Sequence, residues 1–379
     1  MSQPAHSATN TLPSAHVAFV ALTFVAVMMA GAWQILAAAR NPDGLEFPST
    51  LLDFREGRTT QELEKQLDKK LPARTDLIAG ANTLRYLLIG GGGEQVRVGK
   101  DDWLFLTDEL RYDLDGAASL KARAELLGAA ARGLDRQGVK LVIALVPDKA
   151  RVYAERLAAG RYPEYNGTRY QDGLDALRRQ NVITVDLLEP LSTASVRSEI
   201  YYRSDTHWNQ TGAQVAAQAV ARTVSQLGIG LEKTSFRSVE NGAAIERPGD
   251  LIRLMGLQGM PNLVRPRPDV EAVAVTNQSS AEAASGGLFG DTAVPVVLTG
   301  TSYSMRGNFH GFLQEALAAK VLNTAKDGGG FLQAPTAYLM DEAFRSVKPK
   351  LLVWEVPERF LSTKLESESI WLDKVNLRP

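Results

Sequence analysis

The residues best suited to chemistry lie in two segments about a hundred positions apart. The first, Tyr201–Ala213, reads YYRSDTHWNQTGA, and the second, Leu298–Ser304, reads LTGTSYS. Side chains two positions apart share a face of an extended backbone, so Asp205 can bind one imidazole nitrogen of His207 and leave the other free as a base. Many hydrolases present a serine nucleophile on a turn from strand to helix. We therefore predict a triad of Ser302, His207 and Asp205.

The scarcity of histidine supports this prediction. The chain has four histidines, and His6 and His16 lie before or at the edge of an apolar run, which leaves His207 and His310 as candidate bases. The alternative for His207 is a place in a structural hydrogen-bond network, because most histidines are not catalytic. His310 is expected to begin the helix after the serine. Ser304 is the rival nucleophile, ranked second because it lies farther from the strand.

Acyl transfer through a serine also needs donors for the oxyanion of the tetrahedral intermediate. The backbone N–H of Ser302 is one candidate, and Arg306 and Asn308 follow closely enough to supply side-chain donors. Tyr303 is a further candidate for binding substrate. The alternatives are packing for Tyr303, a surface charge for Arg306 and a loop cap for Asn308.

Composition excludes several classes of function. The formal net charge is −1, whereas a general nucleic-acid-binding protein carries a basic excess. The chain has no cysteine, which excludes disulfides, thiolate metal sites and cysteine nucleophiles, and its few histidines form no ligand cluster. We therefore expect neither a metal nor another cofactor.

An apolar run near the N-terminus is long enough to cross a bilayer. Residues 17–39 include no charged side chain, and at about 1.5 Å per residue a helix of this length spans a hydrocarbon core of about 30 Å. The alternative is a cleaved signal peptide, because Ala37–Ala39 resembles a small-residue cleavage site. We predict an N-terminal tail and transmembrane anchor over 1–40, a helical accessory segment over 41–99 and the catalytic domain over 100–379.

Apolar runs alternate with helix-like stretches through the catalytic domain. The run VKLVIALVP at Val139–Pro147, and similar runs at 181–187, 294–299 and 350–357, are typical of strands covered on both faces. Their alternation with helices favours a largely parallel, three-layer α/β sheet, in which catalytic loops lie beyond the carboxyl ends of the strands. Ser302 lies just past one such end.

The segment 232–291 is predicted to be an irregular insertion. Its periodicity is poor, and proline, glycine and charged residues crowd together in it. Its arginines could line a groove for an acidic polymer, or they could be scattered surface charges balanced by Glu246, Asp250 and Asp269. The residues concerned are Arg247, Arg253, Arg265 and Arg267.

Five motifs together resemble the AlgX/AlgJ family of polysaccharide O-acetyltransferases. Over about 54–361 they follow the order of the family and read GKDDWLFL, ALVPDKARVY, YYRSDTHWN, LTGTSYS and VWEVPERFL. The N-terminal anchor is similar to that of AlgJ rather than to the exported AlgX. The resemblance implies an SGNH-hydrolase-like domain in which Asp-X-His precedes the serine, as Asp205 and His207 precede Ser302 here. Thr301 stands where ordinary SGNH enzymes have the aspartate of Gly-Asp-Ser, as it does in the family.

The resemblance also implies a reaction. Ser302 would be the nucleophile, His207 the base and Asp205 its orienting carboxylate, and an acetyl-serine would pass its acetyl group to an exopolysaccharide such as alginate in the periplasm. A membrane-bound O-acyltransferase in the inner membrane would supply the acetyl group, because acetyl-CoA is not expected outside the cytoplasm. Two alternatives stay open: a carbohydrate acetylesterase with the same triad, and a non-catalytic scaffold subunit of a polysaccharide-modification complex. The motifs determine neither the polymer nor the hydroxyl that is acetylated.

Overall fold

The protein folds into two compact units, Met1–Ala81 and Asn82–Pro379. The structure, a computed structural model, describes residues 14–40, scattered positions between 52 and 66, and residues 74–279, 294–365 and 368–378.

The N-terminal apolar run lies within a helix, α1 (Ser14–Arg40). None of the helices among the described residues, however, combines the length and the apolar character that crossing a membrane requires. The transmembrane anchor predicted over 17–39 is therefore not supported by the structure. Helix α2 (Arg74–Ile89) is the long helix described within the predicted accessory segment 41–99.

A five-stranded sheet forms the centre of the second unit. Its order is β4-β3-β9-β7-β8, and each neighbouring pair runs parallel, which confirms the largely parallel α/β sheet predicted from the sequence. Two antiparallel pairs, β1-β2 and β5-β6, complete the strands of the described residues. The strands are β1 (Val96–Val98), β2 (Leu104–Leu106), β3 (Lys140–Val146), β4 (Ile183–Asp186), β5 (Phe236–Arg247), β6 (Asp269–Gln278), β7 (Val296–Thr299), β8 (Val321–Asn323) and β9 (Leu351–Pro357).

The central strands are apolar throughout because both of their faces are covered. In β3, Val142 and Ala144 belong to the core on one face, and Ile143 and Leu145 belong to the core on the other. The register continues this pattern into β9, where Val353 lies beside Val142. A strand without a solvent-facing side gains no benefit from polar alternation, which explains its continuous apolar run.

Helices cover both faces of the sheet, giving three layers. Residues of α8 and α10 pack in the core that contains Val142, and residues of α4 and α6 pack in the core that contains Ile143. The helices of the second unit beyond α2 are α3 (Thr107–Leu110), α4 (Gly116–Asp135), α5 (Lys149–Val152), α6 (Arg169–Arg179), α7 (Leu188–Ser195), α8 (Gln210–Gln226), α9 (Asp250–Leu254), α10 (Phe309–Leu317), α11 (Gln333–Met340), α12 (Glu342–Ser346), α13 (Arg359–Ser362) and α14 (Glu368–Lys374).

Helix α8 fixes the chain directly after the histidine segment. The side chain of Asn209 caps the helix by accepting the N–H of Gly212 at 3.0 Å. A Cβ at Gly212 would lie 2.1 Å from the carbonyl oxygen of Ile200, so the helix start packs against the backbone that leads into the segment. Apolar positions such as Ala216 and Val220 then anchor the helix on the sheet.

The segment 232–291 is more regular than predicted. Strands β5 and β6 form a long antiparallel ribbon with an irregularity between Asn241 and Ile245. Most residues of β5 are exposed, so the ribbon buries no continuous apolar face and leaves only a weak hydrophobic period in the sequence. Residues 280–291 of the predicted insertion lie outside the described residues.

Candidate active site

The serine turn is built at the carboxyl end of β7. Gly300 has a φ of 144°, and a Cβ there would lie 2.5 Å from the carbonyl oxygen of Glu355. Both the backbone conformation and the close approach therefore require glycine. Ser302 begins a 3-10 turn, Ser302–Met305, and the side-chain hydroxyl of Thr301 caps it by accepting the N–H of Tyr303 at 3.3 Å.

Glu355, buried in the middle of β9, holds this turn in place. Its carboxylate accepts the N–H of Thr301 at 2.8 Å and the hydroxyls of Thr301 and Ser304 at 3.0 Å. Burial raises the pKa of Glu355, although these hydrogen bonds oppose the rise. Because Ser304 is fully buried and donates to Glu355, whereas Ser302 is half-buried, Ser302 is the serine of this turn that a substrate can reach.

His207 joins the two segments. Its Nδ1 lies 2.6 Å from Oδ1 of Asp205, and its Nε2 lies 2.6 Å from Oγ of Ser302. The loop is bent rather than extended, and the backbone N–H of His207 donates to the same Asp205 oxygen at 3.0 Å. The side chain of His207 is 5% exposed. The structure thus brings together the three residues predicted to form a triad, and a local hydrogen bond achieves this rather than strand geometry.

The backbone of the histidine loop is held from two sides. Asp269, the first residue of β6, accepts the N–H groups of Arg203 and Ser204, each at 2.9 Å. Lys149, fully buried after β3, donates from Nζ to the carbonyl oxygens of Arg203 and Asp205, each at 2.9 Å. Fixed donors and acceptors on both sides leave the loop little freedom to move the imidazole.

A third support comes from the turn before α9. The backbone N–H of Asp250 donates to Oδ2 of Asp205 at 2.9 Å, and Oδ1 of Asp250 accepts the N–H of Thr206 at 2.8 Å and its hydroxyl at 3.1 Å. The other oxygen of Asp250, Oδ2, lies 3.8 Å from Nδ1 of His207. Two carboxylates therefore face the same edge of the imidazole.

The electrostatics of these two carboxylates differ. Burial alone would raise the pKa of Asp205, but the hydrogen bond and charge of His207, with the N–H groups of Asp250 and His207, hold it well below its usual value. Burial and the neighbouring charge of Asp205 raise the pKa of Asp250. Asp205 is thus the carboxylate held most firmly in its ionised form.

Tyr303 packs against the imidazole in the protein interior rather than lining a substrate surface. It is fully buried, and its hydroxyl donates to the carbonyl oxygen of Thr206 at 2.9 Å. The ring lies edge-on to His207 with centroids 4.8 Å apart, and to Trp208 with centroids 5.0 Å apart. Its place agrees with the packing alternative considered for this residue.

A cleft of about 320 Å³ opens beside Asp205. Arg306 lies in it and pairs with Asp327 at 2.8 Å, and Arg247 lies in it and pairs with Glu271. Arg253 also lines the cleft, exposed, and its guanidinium makes no ion pair or hydrogen bond with any described residue.

The other candidate binding residues lie in different settings. Arg265 bonds to Asn262 at 2.9 Å and Arg267 pairs with Asp102 at 3.0 Å, so neither belongs to the cleft beside Asp205. Asn308 adopts a left-handed conformation before α10 and donates from Nδ2 to the hydroxyl of Thr276 at 2.9 Å.

His310 lies within α10, close to its start. Its Nε2 is 2.7 Å from the carbonyl oxygen of Val321, a contact that ties the helix to β8. This contact gives His310 a structural place in the fold, apart from the triad segments.

Asp205, His207 and Asp250 also form the group of described residues whose ligand atoms could hold a cation, since these atoms all lie within 4.8 Å of one another. The same atoms are already engaged, because Nδ1 of His207 bonds to Asp205 and Asp205 accepts the N–H of Asp250. A cation at Nδ1 would replace the bond that orients the imidazole.

Four supporting residues were not singled out from the sequence. Glu355 carried a signal, because an acidic residue in the middle of a strand buried on both faces needs a partner. Lys149 carried a weaker one, as a charged residue at the start of α5, three positions after the end of β3. Asp250 and Asp269 were considered only as surface carboxylates that balance the arginines of 232–291, whereas the structure places both on the histidine loop.

The arrangement suits acyl transfer. An alcohol, an imidazole and a carboxylate lie in line through two hydrogen bonds of 2.6 Å, at the carboxyl ends of parallel strands. Such a series lets the imidazole take a proton from the alcohol while the carboxylate stabilises the resulting positive charge.

Comparison with known proteins places this geometry in context. Residues 96–358 match the family model of the SGNH hydrolase-like domain of the acetyltransferase AlgX. The "Probable alginate O-acetylase AlgJ" of Pseudomonas putida is 34% identical over 319 residues, covering 83% of this chain and 82% of the relative. The protein of the same name in Pseudomonas aeruginosa is 35% identical over 318 residues, covering 80% of each chain.

Two solved structures share the fold. The O-acetyltransferase domain of Pseudomonas putida AlgJ superposes with a TM-score of 0.65 and 32% identity, covering 75% of this chain and 99% of that one. Pseudomonas aeruginosa AlgX superposes with a TM-score of 0.57 and 25% identity, covering 73% of this chain and 66% of that one.

Proposed function

This chain belongs to the AlgX family of SGNH hydrolase-like acetyltransferases, and from that premise we propose that it acetylates hydroxyl groups of alginate in the periplasm through an acetyl-serine. In this proposal Ser302 is the nucleophile, His207 the general base and acid, and Asp205 the carboxylate that orients the imidazole. The observation that carries it is the position of His207, 2.6 Å from both the hydroxyl of Ser302 and the carboxylate of Asp205.

The first half of the reaction forms the acetyl-enzyme. Oγ of Ser302 attacks the carbonyl carbon of the acetyl donor while Nε2 of His207 takes the hydroxyl proton. The tetrahedral intermediate collapses, the bond to the donor's leaving group breaks, and His207 returns the proton to that group. Asp205 stabilises the imidazolium between these two transfers without taking its proton.

The second half transfers the acetyl group to the sugar. A hydroxyl of the acceptor loses its proton to His207 and attacks the ester carbon of acetyl-Ser302, and collapse of the intermediate breaks the ester bond and returns the proton to Ser302. For both intermediates we assign the backbone N–H of Ser302 as an oxyanion donor, since it donates to no acceptor among the described residues. Arg306 and Asn308 are weaker candidates because their side chains already bond to Asp327 and Thr276.

We propose alginate as the acceptor because the relatives are named alginate O-acetylases and because the cleft carries arginines. Alginate is a polymer of uronic acids, and a guanidinium binds a carboxylate in a matching planar geometry. Arg253 is free to do so beside Asp205, whereas Arg247 and Arg306 already pair with acidic side chains.

The acetyl donor is proposed to be a membrane-bound O-acyltransferase, because acetyl-CoA is not expected in the periplasm. The family resemblance is the support for this partner. An inner-membrane location remains a prediction from the sequence of 17–39 alone.

Mass analysis tests the chemical core of the proposal. The purified protein is treated with an activated acetyl ester, digested and mapped. We expect a gain of one acetyl group on Ser302 that is absent in Ser302→Ala and in His207→Ala. Ser304→Ala, a change in the neighbouring serine, should still be labelled at Ser302, and labelling at Ser304 in the native protein would overturn the assignment.

Two further measurements separate the alternatives. An esterase would release acetate at the same rate with and without alginate and would leave the polymer unmodified. A transferase would move the acetyl group from the acetyl-enzyme to alginate in preference to a neutral glucan. A scaffold would leave polymer acetylation in cells intact when Ser302→Ala replaces the native protein at the same level.

A further inference from the structure

The histidine of the triad faces two carboxylates, and the family resemblance assigns a role to only one of them. We propose that Asp250 is a positioning residue for acyl transfer, which orients the histidine loop through one oxygen and places its other oxygen's charge beside the imidazole. This inference rests on the proposed function, because it concerns how His207 works within it.

The turn that carries Asp250 is pressed against the histidine loop. A Cβ at Gly249 would lie 2.0 Å from the carbonyl oxygen of Ser204 and 2.6 Å from the backbone nitrogen of Asp205. The φ of Gly249 is −67°, which any residue can adopt, so it is the close approach that requires glycine here. The backbone of the turn is therefore in direct contact with the backbone of the histidine loop, and this contact places Asp250 beside Asp205 and His207.

The two oxygens of Asp250 face different partners. Oδ1 accepts both the N–H and the hydroxyl of Thr206, the residue between Asp205 and His207. Oδ2 receives no hydrogen bond from any described residue and lies 3.8 Å from Nδ1 of His207. One oxygen can therefore fix the loop while the other acts on the imidazole by charge alone.

That charge favours the protonated imidazole over the neutral one. While His207 is neutral, Asp205 and Asp250 are two like charges that repel each other. When the imidazole takes the proton of Ser302, a cation forms 3.8 Å from Oδ2 of Asp250 and both carboxylates attract it. Asp250 thus stabilises the charged state that exists only during proton transfer, which makes His207 a stronger base.

Other groups near the imidazole do not replace this role. The serine turn presents the hydroxyl of Ser302 and the ring of Tyr303 to His207. Lys149 donates to the backbone carbonyl oxygen of Asp205, and Asp269 accepts the N–H and the hydroxyl of Ser204, so both contact the loop at atoms other than the imidazole. In the cleft beyond, the cations and acids are Arg247, Arg253, Arg306 and Asp327.

The test separates orientation from charge with two variants. Asp250→Asn keeps an oxygen for Thr206 and removes the charge, whereas Asp250→Ala removes both. The rate of acetyl-enzyme formation from p-nitrophenyl acetate is measured across pH in the full chain. For Asp250→Asn we expect the midpoint of the acid limb to move down by about one pH unit, because the imidazolium loses a neighbouring anion.

The size of the rate loss gives a second criterion. The plateau rate of Asp250→Asn should fall by no more than about tenfold, because a base weaker by about one pH unit accepts the serine proton less readily. Asp250→Ala should lose more of the rate and also melt at a lower temperature, and Asp250→Glu should restore part of the native midpoint. As a matched control, Asp135→Asn removes a carboxylate that pairs with Lys140, away from the triad, and should leave the profile unchanged.

An unchanged midpoint in Asp250→Asn, with activity lost only in Asp250→Ala, would reduce Asp250 to a structural cap and overturn the proposal. That outcome differs from failure of the triad itself. If Ser302→Ala or His207→Ala still formed an acetyl-enzyme, the proposed function would fail whatever the profiles of the Asp250 variants showed.

Discussion

The two sides of the proposed triad are supported by carboxylates of opposite character. On the histidine side, Asp205 accepts hydrogen bonds from the imidazole and from two backbone N–H groups, and its pKa is lowered although burial opposes this. On the serine side, Glu355 is fully buried, accepts one N–H and two hydroxyls, and has a raised pKa because burial outweighs those bonds.

The difference matches the charges that the proposed acyl transfer would create. In that reaction a positive imidazolium would form on the histidine side, where a fixed anion would stabilise it. A negative oxyanion forms beside the serine, where a second full negative charge would oppose it. The histidine loop therefore needs charged acceptors, whereas the serine turn needs only an acceptor of the right shape. Substitutions of Glu355, Asp269 and Asp205 test this contrast.

The largest effect is expected for Glu355→Ala. The change leaves the N–H and hydroxyl of Thr301 and the hydroxyl of Ser304 without their buried acceptor, which should lower the free energy of unfolding by about 4 kcal/mol. The displaced turn should also slow acetyl-enzyme formation about 100-fold. Urea unfolding and the burst with p-nitrophenyl acetate measure the two losses.

Glu355→Gln is the matched control for that change. Its amide oxygen can keep the bonds to the N–H of Thr301 and to Ser304, and its NH₂ can donate to the hydroxyl oxygen of Thr301. We expect a cost of about 1 kcal/mol or less and nearly native activity. If the amide were as damaging as alanine, the serine turn would depend on charge and the contrast would be lost.

Asp269→Asn is expected to destabilise the protein less than Glu355→Ala but more than the amide substitution Glu355→Gln. Both oxygens of Asp269 accept backbone N–H groups, so an asparagine must turn its NH₂ toward one of those donors. We expect a loss of about 2 kcal/mol in unfolding free energy and a distinct drop in acetyl-enzyme formation. Lys149 and Asp250 still hold the loop, which limits the damage. Equal tolerance of the amide at 269 and 355 would contradict the comparison.

The parts of this molecule that sequence could predict are those with local signals. The parallel sheet was predictable because β3 and β9 are covered on both faces and read as unbroken apolar runs. The candidate triad was predictable because Asp205 and His207 are close in sequence and Ser302 follows a strand. Because the chain has only four histidines, few residues other than His207 could be the general base.

The supporting residues were not predictable because their partners are distant in sequence. Thr301 and Glu355 meet only because β7 and β9 are neighbours in the sheet. Asp269 reaches the histidine loop only through the β5-β6 ribbon, whose exposed strands lack an apolar period. Lys149 follows a clear strand, yet its acceptors are backbone carbonyls, which no side-chain pattern reveals.

The smallest expected effect tests the contrast most directly: the contributions of Asp205 and Glu355 to stability should depend on pH in opposite directions. Asp205 has a lowered pKa in the folded protein, so its contribution to stability is fully present above its unfolded value of about 3.9 and is lost as the pH falls below it. Glu355 has a raised pKa, so the folded protein favours its protonated form and stability declines as the pH rises above the unfolded value of about 4.3.

Difference curves between native protein and variant isolate each group, because the other titrating residues are shared. The free energy of unfolding is measured with urea between about pH 3 and 7. The difference between native protein and Asp205→Asn should shrink as the pH falls, whereas the free energy of unfolding of Glu355→Gln should rise relative to that of native protein as the pH rises. Each unit of altered pKa corresponds to about 1.4 kcal/mol. Slopes of the same sign for the two variants would show that the two sides of the triad carry equivalent carboxylates, and the assignment of charge to the histidine side alone would then be wrong.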